Sequence, residues 1–173
     1  MGGGTATAEE QWQVLADAVD DNNVPQFESL LEAYTDHVNY GGGEHKNTIL
    51  SWCAFIGQVE MMKMVLAVPM VDVNRSDAYG QTPLIFAAWK GHAECTALLL
   101  AADNIQVNQA DKDGGTPLFV SAWKGHAECT ALLLAADNIQ INQPINDGRT
   151  PLYASAHQGD AECTALLLAA DNV

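Results

Sequence analysis

The chain has 173 residues, 48% of them apolar, with 22 Asp plus Glu against 7 Lys plus Arg and a formal charge of -15. That length fits one domain of about 100–200 residues, and the apolar share is enough to bury a core, so an acidic disordered tail is excluded. Nucleic acid and anionic membrane surfaces are unsuitable partners, because phosphate binding needs a cationic footprint that this composition does not supply.

From the N-terminus, Met1-Gly-Gly-Gly-Thr-Ala has no basic stretch followed by an apolar one, so it does not read as a secretory signal. A myristoylation start is nearly matched, but Ala6 stands where the motif wants Ser or Thr. Residues 1–8 read as a flexible leader. No run of about 18 apolar residues follows, so no segment is expected to span or insert into a bilayer. The expected location is cytoplasmic, in an intracellular, reducing compartment.

Internal repetition then organises the chain. Thr48, Thr82, Thr116 and Thr150 are each 34 residues apart, and the stretches from Thr82 and Thr116 agree at 22 of 25 positions. A third copy starts at Thr150, and an older one at Thr48 reads TILSWCAFIGQVEMMKMVLAVPMVDVN. One further shift places Ala16 under Leu84, and Leu30-Leu31-Glu32 under the Leu98-Leu99-Leu100 triplet. The units are therefore 9–47 (diverged and acidic), 48–81, 82–115, 116–149 and 150–173.

Each unit reads as two short helices. Thr82 is an N-cap and Pro83 sits at the first helical position, where a missing N–H costs nothing. Leu84, Ile85, Ala87 and Ala88 make about two turns, ended by Gly91 in the left-handed conformation. A second helix is expected from Ala93 to Ala102, with the Leu98-Leu99-Leu100 triplet buried and Asn104 as its left-handed stop. Val107-Asn108 and the turn Asp111-Lys112-Asp113-Gly114 lead into the next Thr-Pro. Helices this short must bury a face on their neighbours, which makes the chain a solenoid.

TPL, then AA, GH, LLL and VN at fixed offsets resembles the ankyrin repeat, over nearly the whole chain. The resemblance implies an all-α ankyrin-repeat solenoid of stacked helix-turn-helix units with β-turn fingers. Two departures stand out. The period is 34 rather than 33, with the extra residue between Asp103 and Gln106. The His that usually follows TPL, which in the family braces neighbouring repeats, is replaced by Ile85, Phe119 and Tyr153, and by Ser51 in the older copy. Apolar packing is expected to take over that bracing.

Cys95, Cys129 and Cys163 recur at the repeat period, where stacked helices lie about 8–10 Å apart. Disulfides need Cα atoms within roughly 7 Å, so this ladder cannot cross-link, and with Cys53 the cysteines read as reduced packing residues. His92-Ala93-Glu94 and His126-Ala127-Glu128 match half of a zinc deaminase signature without its PCxxC, and are better read as helix starts. Asn74-Arg75-Ser76 is formally a glycosylation sequon but occupies the VN position of its repeat. The Asp111–Gly114 turn is too short for a calcium loop. No nucleophile set, phosphate loop or cofactor motif is present, and duplication argues against a catalytic site, which needs unique residues meeting once.

What remains is a surface for a protein partner. By resemblance, ankyrin stacks bind through the fingers and the exposed flank of the first helix. The residues before the helix-ending glycines are Phe55 and Ile56, Trp89 and Lys90, Trp123 and Lys124, His157 and Gln158. Stacking lines up Phe55, Trp89, Trp123 and His157 with rungs about 10 Å apart. Tryptophan at such a place is either a binding hot spot or a side chain packing on the neighbouring finger. Tyr79, Gln81, Lys112, Asn146 and Arg149 complete the finger tips, and five of the seven cations fall on this face with Lys46. Asp77, Asp111, Asp113 and Asp147 lie there too, so the basic bias is modest. Residues 1–45 hold nine acids and no Lys or Arg, which solvates an exposed end or steers a basic partner.

At the C-terminus the last second helix, Ala161 to Ala170, carries Leu166, Leu167 and Leu168 with no polar cap after it. Truncation or an end-on partner would account for that. The expected function is a non-catalytic interaction module acting as adaptor, assembly or inhibitory scaffold through its concave face. The alternatives are a permanent subunit docked through the C-terminal repeat and acidic cap and, less favoured, a zinc enzyme built on the His-x-Glu pairs.

Overall fold

The computed structural model describes residues 6–170; residues 1–5 of the expected leader and residues 171–173 lie outside it. Helix α1 (Ala8–Asp20) starts inside the segment read as leader, because Thr7 caps it. Its hydroxyl accepts from the Glu10 amide at 3.2 Å and its own amide donates to Glu10 Oε2 at 2.7 Å. That reciprocal box holds the Glu10 carboxyl below its usual range. Trp12, Leu15, Ala16 and Val19 share the buried face.

Helix α2 (Val24–Ala33) folds back on α1, and a single 3-10 turn (Thr35–His37) leads to the first repeat. Four helix pairs follow: α3 (Ile49–Ile56) with α4 (Val59–Leu66), α5 (Pro83–Lys90) with α6 (Ala93–Leu100), α7 (Pro117–Lys124) with α8 (Ala127–Leu134), and α9 (Pro151–Gln158) with α10 (Ala161–Ala170). Helices α1, α3, α5, α7 and α9 pack successively as one layer, and α2, α4, α6, α8 and α10 as the other. Among the described residues, the extended structure is one isolated bridge, Gly42 with Asn47.

The threonine caps form as the sequence implies. The Thr82 and Thr116 hydroxyls accept from the amides of Ile85 and Phe119 at 3.2 and 3.1 Å. The second helices stop at Leu100 and Leu134, two residues short of expectation, and Asn104 and Asn138 then take left-handed φ values of 61° and 60°. Only the middle of each leucine triplet is wholly buried. Leu99, Leu133 and Leu167 are at 0–1% exposure, while Leu98 and Leu100 are half-buried. Three consecutive helical residues fan across about 200°, too wide for one buried face.

The missing TPL histidine is replaced only in part by apolar packing. Ile85 and Phe119 are buried, but Tyr153 is exposed and stacks on His157 at 5.7 Å. Hydrogen bonds between repeats come from elsewhere. Asn74 Nδ2 donates to the Asn104 carbonyl and Asn74 Oδ1 accepts from the Gln106 amide, both at 2.8 Å. Asn108 makes the same pair with Asn138 and Gln140, and Asn39 with Met70 and Asp72. The VN asparagine is thus a two-pronged clamp on the loop of the following unit.

Met70 occupies the position of Asn104 and Asn138 with φ 68° and 91% exposure. A left-handed residue other than Gly or Asn costs about 1–2 kcal/mol. Met70→Asn is therefore expected to stabilise the chain by about 0.5–1 kcal/mol, read as a rise in the denaturation midpoint; an unchanged or lower midpoint counts against strain at this turn.

Candidate functional site

The concave face is built from two parts, the outer flank of the first-helix layer and the finger loops that precede it. The two middle fingers are each shaped by an aspartate. Asp77 Oδ1 accepts from the amides of Tyr79 and Gln81, both at 2.8 Å, and Asp111 Oδ1 from those of Asp113 and Gly115 at 3.0 and 2.7 Å. Neighbouring fingers are tied by backbone bonds: Ala78 N to His45 O, Lys112 N to Tyr79 O, and Asn146 N to Asp113 O, at 2.8–3.0 Å. Asn146 also donates its side-chain amide to the Lys112 carbonyl at 2.9 Å. The fingers therefore form a fixed row.

Behind them runs a ladder of aromatic rings. Trp12 meets Trp52 at 6.2 Å, Trp52 stacks on Phe55 at 5.4 Å, and Phe55 meets Trp89 edge-on at 6.3 Å. Phe86 closes on Phe55 at 5.8 Å, and Trp123 lies against Phe119 at 6.4 Å. Lysines thread this row: Lys90 Nζ is 4.1 Å from the Phe55 centroid and 5.4 Å from that of Trp89. Lys124 Nζ sits between the tryptophans, 5.7 Å from Trp89 and 4.9 Å from Trp123. Among the described residues, ion pairs join Lys63 to Glu60 and Arg149 to Asp147, and the ladder lysines enter neither.

Two grooves open between fingers and ladder. The first, about 490 Å³, is lined by His45, Asn47, Trp52, Phe55, Asp77, Tyr79, Gln81, Phe86 and Trp89. The second, about 310 Å³, lies at Asp111, Asp113, Gly115, Phe119, Val120, Trp123, Ile145, Asn146, Asp147 and Arg149. Threonine-capped helix pairs, loops clamped by asparagine and a row of fingers, repeated every 34 residues, make one architecture. A family model of ankyrin repeats (three copies) matches residues 15–111 and 104–173. The chain belongs to the ankyrin repeat family.

A search of curated proteins found no match. Members of the ankyrin repeat family mediate protein–protein interaction in general, and both grooves lie on the face formed by fingers and first helices. Of the expected site residues, Phe55, Tyr79, Gln81 and Trp89 meet in the first groove, and Trp123, Asn146 and Arg149 in the second. Lys90 and Lys124 stand on the rings, and Lys112 is exposed at its finger tip. His157 and Gln158 are exposed at the end of α9. The two tryptophans differ: Trp89 is half-buried among ring contacts, whereas Trp123 is 42% exposed.

Several lining residues were not among those expected: His45, Asn47, Trp52 and Phe86, while Asp77, Asp111, Asp113 and Asp147 line the grooves on the face where they were placed. The repeat register does locate two of them, because His45 and Asn47 stand one period before Tyr79 and Gln81. Arg149 is held by Asp147, its Nη2 2.7 Å from Oδ2, and the pair keeps the Asp147 carboxyl below its usual range.

The His-x-Glu pairs stand at helix starts as expected, with Glu94 and Glu128 in the first turns, but the imidazoles do more than the sequence implied. Neither His92 nor His126 caps its helix through the side chain. His126 Nε2 donates to the Trp89 carbonyl at 3.0 Å, and His92 Nε2 to that of Phe55 at 3.3 Å. Because a carbonyl can only accept, each imidazole carries its proton on Nε2 and ties its repeat to the one before. Where Asp160 takes the place of histidine, its carboxylate does cap, accepting from the Cys163 amide at 2.7 Å. Among the described residues, no three His, Cys, Asp or Glu gather as metal ligands.

All four cysteines are buried free thiols. Thr96 Oγ1 lies 3.5 Å from Cys129 Sγ and Thr130 Oγ1 3.6 Å from Cys163 Sγ, so hydroxyls and thiols alternate between repeats. Burial pushes the Cys95 and Cys163 thiols up to about 11, and drives Cys53 higher still. At pH 8 the Cys95 thiol is held protonated, and the thiolate is the reactive form. A disulfide reagent such as Ellman's is expected to find no fast-reacting thiol in the native chain and four after guanidinium unfolding. Fast native reaction at any of the four contradicts this packing.

Proposed function

We propose that the chain is a non-catalytic interaction module, an adaptor, assembly or inhibitory scaffold, that holds a protein partner against its concave face. The observation that carries the reading is Trp123. It is 42% exposed beside Lys124, whose ammonium has no carboxylate partner among the described residues although the chain has 22 acids. Exposed tryptophan is the residue type enriched at interface hot spots, and the unpaired cation beside it offers a contact to a partner's carboxylate. Tyr79, 53% exposed at a finger tip, extends the same surface. Four reduced thiols support a reducing, cytoplasmic setting. Among the described residues, no helix is long and apolar enough to cross a membrane.

A second reading, a permanent subunit docked through its last repeat, is favoured by Tyr153 and Leu168, 50% and 48% exposed. The position of Tyr153 is filled in earlier repeats by the buried Ile85 and Phe119. Site-specific photo-cross-linking separates the readings. A photoreactive residue at position 79 (concave), at 101 (back of the stack) or at 153 (last repeat) is compared in the source cell. The concave-face reading expects a discrete adduct from position 79 and none from 101. Adducts confined to 153 establish the second reading, and adducts confined to 101 contradict both.

A further inference from the structure

The two concave grooves occupy the same place in the repeat frame, two periods apart, yet differ in chemistry. Asn47, Phe55 and Tyr79 of the first correspond to Gly115, Trp123 and Asp147 of the second. At a helix spacing of about 8–10 Å per repeat, their centres lie about 16–20 Å apart. Extended chain covers that distance in five or six residues at about 3.3 Å each.

The first groove is mainly aromatic, and among its polar lining residues, His45, Asn47, Asp77 and Gln81, one atom is left without a partner. Asn47 is 8% exposed, and its Oδ1 is buried without a hydrogen-bond partner. A buried acceptor left unpaired is costly; Oδ1 itself is covered, but Asn47 lines the groove, and a small turn of its side chain brings that oxygen to a guest donor. Lys90 stands beside the groove with its ammonium 4.1 Å above the lining ring Phe55, and its charge offsets that of Asp77, so the groove favours an aromatic guest over a charged one. A tryptophan or tyrosine side chain meets all three conditions: apolar body, flat face and an N–H or O–H at its end.

The second groove is acidic. Asp111, Asp113 and Asp147 outnumber Arg149 and the nearby Lys124, and Arg149 is already committed to Asp147. Asp111 spends one oxygen on shaping its finger, whereas Asp113 contributes only backbone groups to that row. An arginine or lysine fits there with its charge at Asp113, since the Trp123 ring already carries Lys124, and agrees in sign with the overall charge of -15.

We propose that one extended segment of the partner lies across both grooves, with a tryptophan or tyrosine in the first and a basic residue, five or six positions away, in the second. This rests on the concave face being the binding face. The test is selection of random twelve-residue peptides, displayed on phage, against the full-length chain and against Asp113→Lys. The wild type is expected to enrich an aromatic residue paired with Arg or Lys at that spacing. Asp113→Lys is expected to exchange the basic residue for Asp or Glu. A synthetic peptide from the wild-type selection is expected to lose at least tenfold in affinity when three residues are deleted between the pair, and similarly when the aromatic residue becomes Ala.

Enriched peptides lacking the pair, an unchanged preference on Asp113→Lys, or no enrichment at all overturns the proposal. A Tyr79→Ala, Trp123→Ala double variant, checked for folding by circular dichroism, separates the two levels. If it loses peptides that lack the pair, the face stands and this inference fails. If it keeps every peptide, the face itself is wrong.

Discussion

Gly91→Ala is expected to destabilise the stack by about 2–3 kcal/mol, and Gly159→Ala by only about 1 kcal/mol, although both glycines end equivalent helices with φ near 75°. The shared cost is the left-handed backbone, about 1–2 kcal/mol, partly offset by the stiffer unfolded chain that alanine gives. The difference is what stands next to each. A Cβ on Gly91 comes within 2.6 Å of His126 Nδ1, whereas one on Gly159 meets nothing within 4 Å. Alanine at position 91 therefore pushes the imidazole off the Trp89 carbonyl. The lost hydrogen bond and the repacking add about 1–2 kcal/mol. Thermal melts should show about 4–12 °C lost for Gly91→Ala and about 2–4 °C for Gly159→Ala, at a few degrees per kcal/mol for this chain length. Equal losses at both sites would show that the histidine does not brace the repeats.

The second large effect falls on binding and separates two side chains that stand one period apart. Trp123→Ala is expected to change stability by less than about 1 kcal/mol, because the ring is 42% exposed and its ring contact is Phe119. The same substitution should weaken partner binding by about 2 kcal/mol or more, roughly thirtyfold, as exposed tryptophans at interface centres do. Trp89→Ala should do the reverse in part. Its ring is half-buried against Phe55 and carries Lys90 and Lys124, so about 2 kcal/mol of stability goes with it. Denaturation midpoints and affinities of the two single variants, measured together, check this division. Unchanged binding in Trp123→Ala removes that residue from the site.

The difference between the tryptophans marks where sequence reading runs out. The spacing of Thr48, Thr82, Thr116 and Thr150, the Pro83-type helix starts and the Gly91-type stops were legible, because each is a local backbone requirement written in one or two residues. The family, the all-α stack and the finger positions follow from them. What depends on the neighbouring repeat was not legible. His92 and His126 sit at helix starts and look like caps; only the preceding repeat supplies the carbonyls they bind. Asn74 and Asn108 lie in loops, and their clamp on the next loop appears only when the units stack. The leucine triplets read as wholly buried because a run of three hides which way each side chain faces.

The site was legible to a similar depth. The register assigns Phe55, Trp89 and Trp123 to one flank, and the structure places them along one face. It does not reveal that Trp52, three residues before Phe55, joins the same ladder, because later repeats hold Phe86, Val120 and Ala154 there. Nor does spacing reveal the unpaired Oδ1 of Asn47, which is a property of the assembled groove.

Hydrogen exchange on the complex tests the central claim most directly. The protein recovered by the position-79 cross-link is added back to the full chain, and amide exchange is compared with and without it. New protection is expected in the finger segments around Tyr79 and Lys112 and along α5 and α7, with α6 and α8 exchanging as before. Protection confined to α6 and α8, with fingers unchanged, would contradict it.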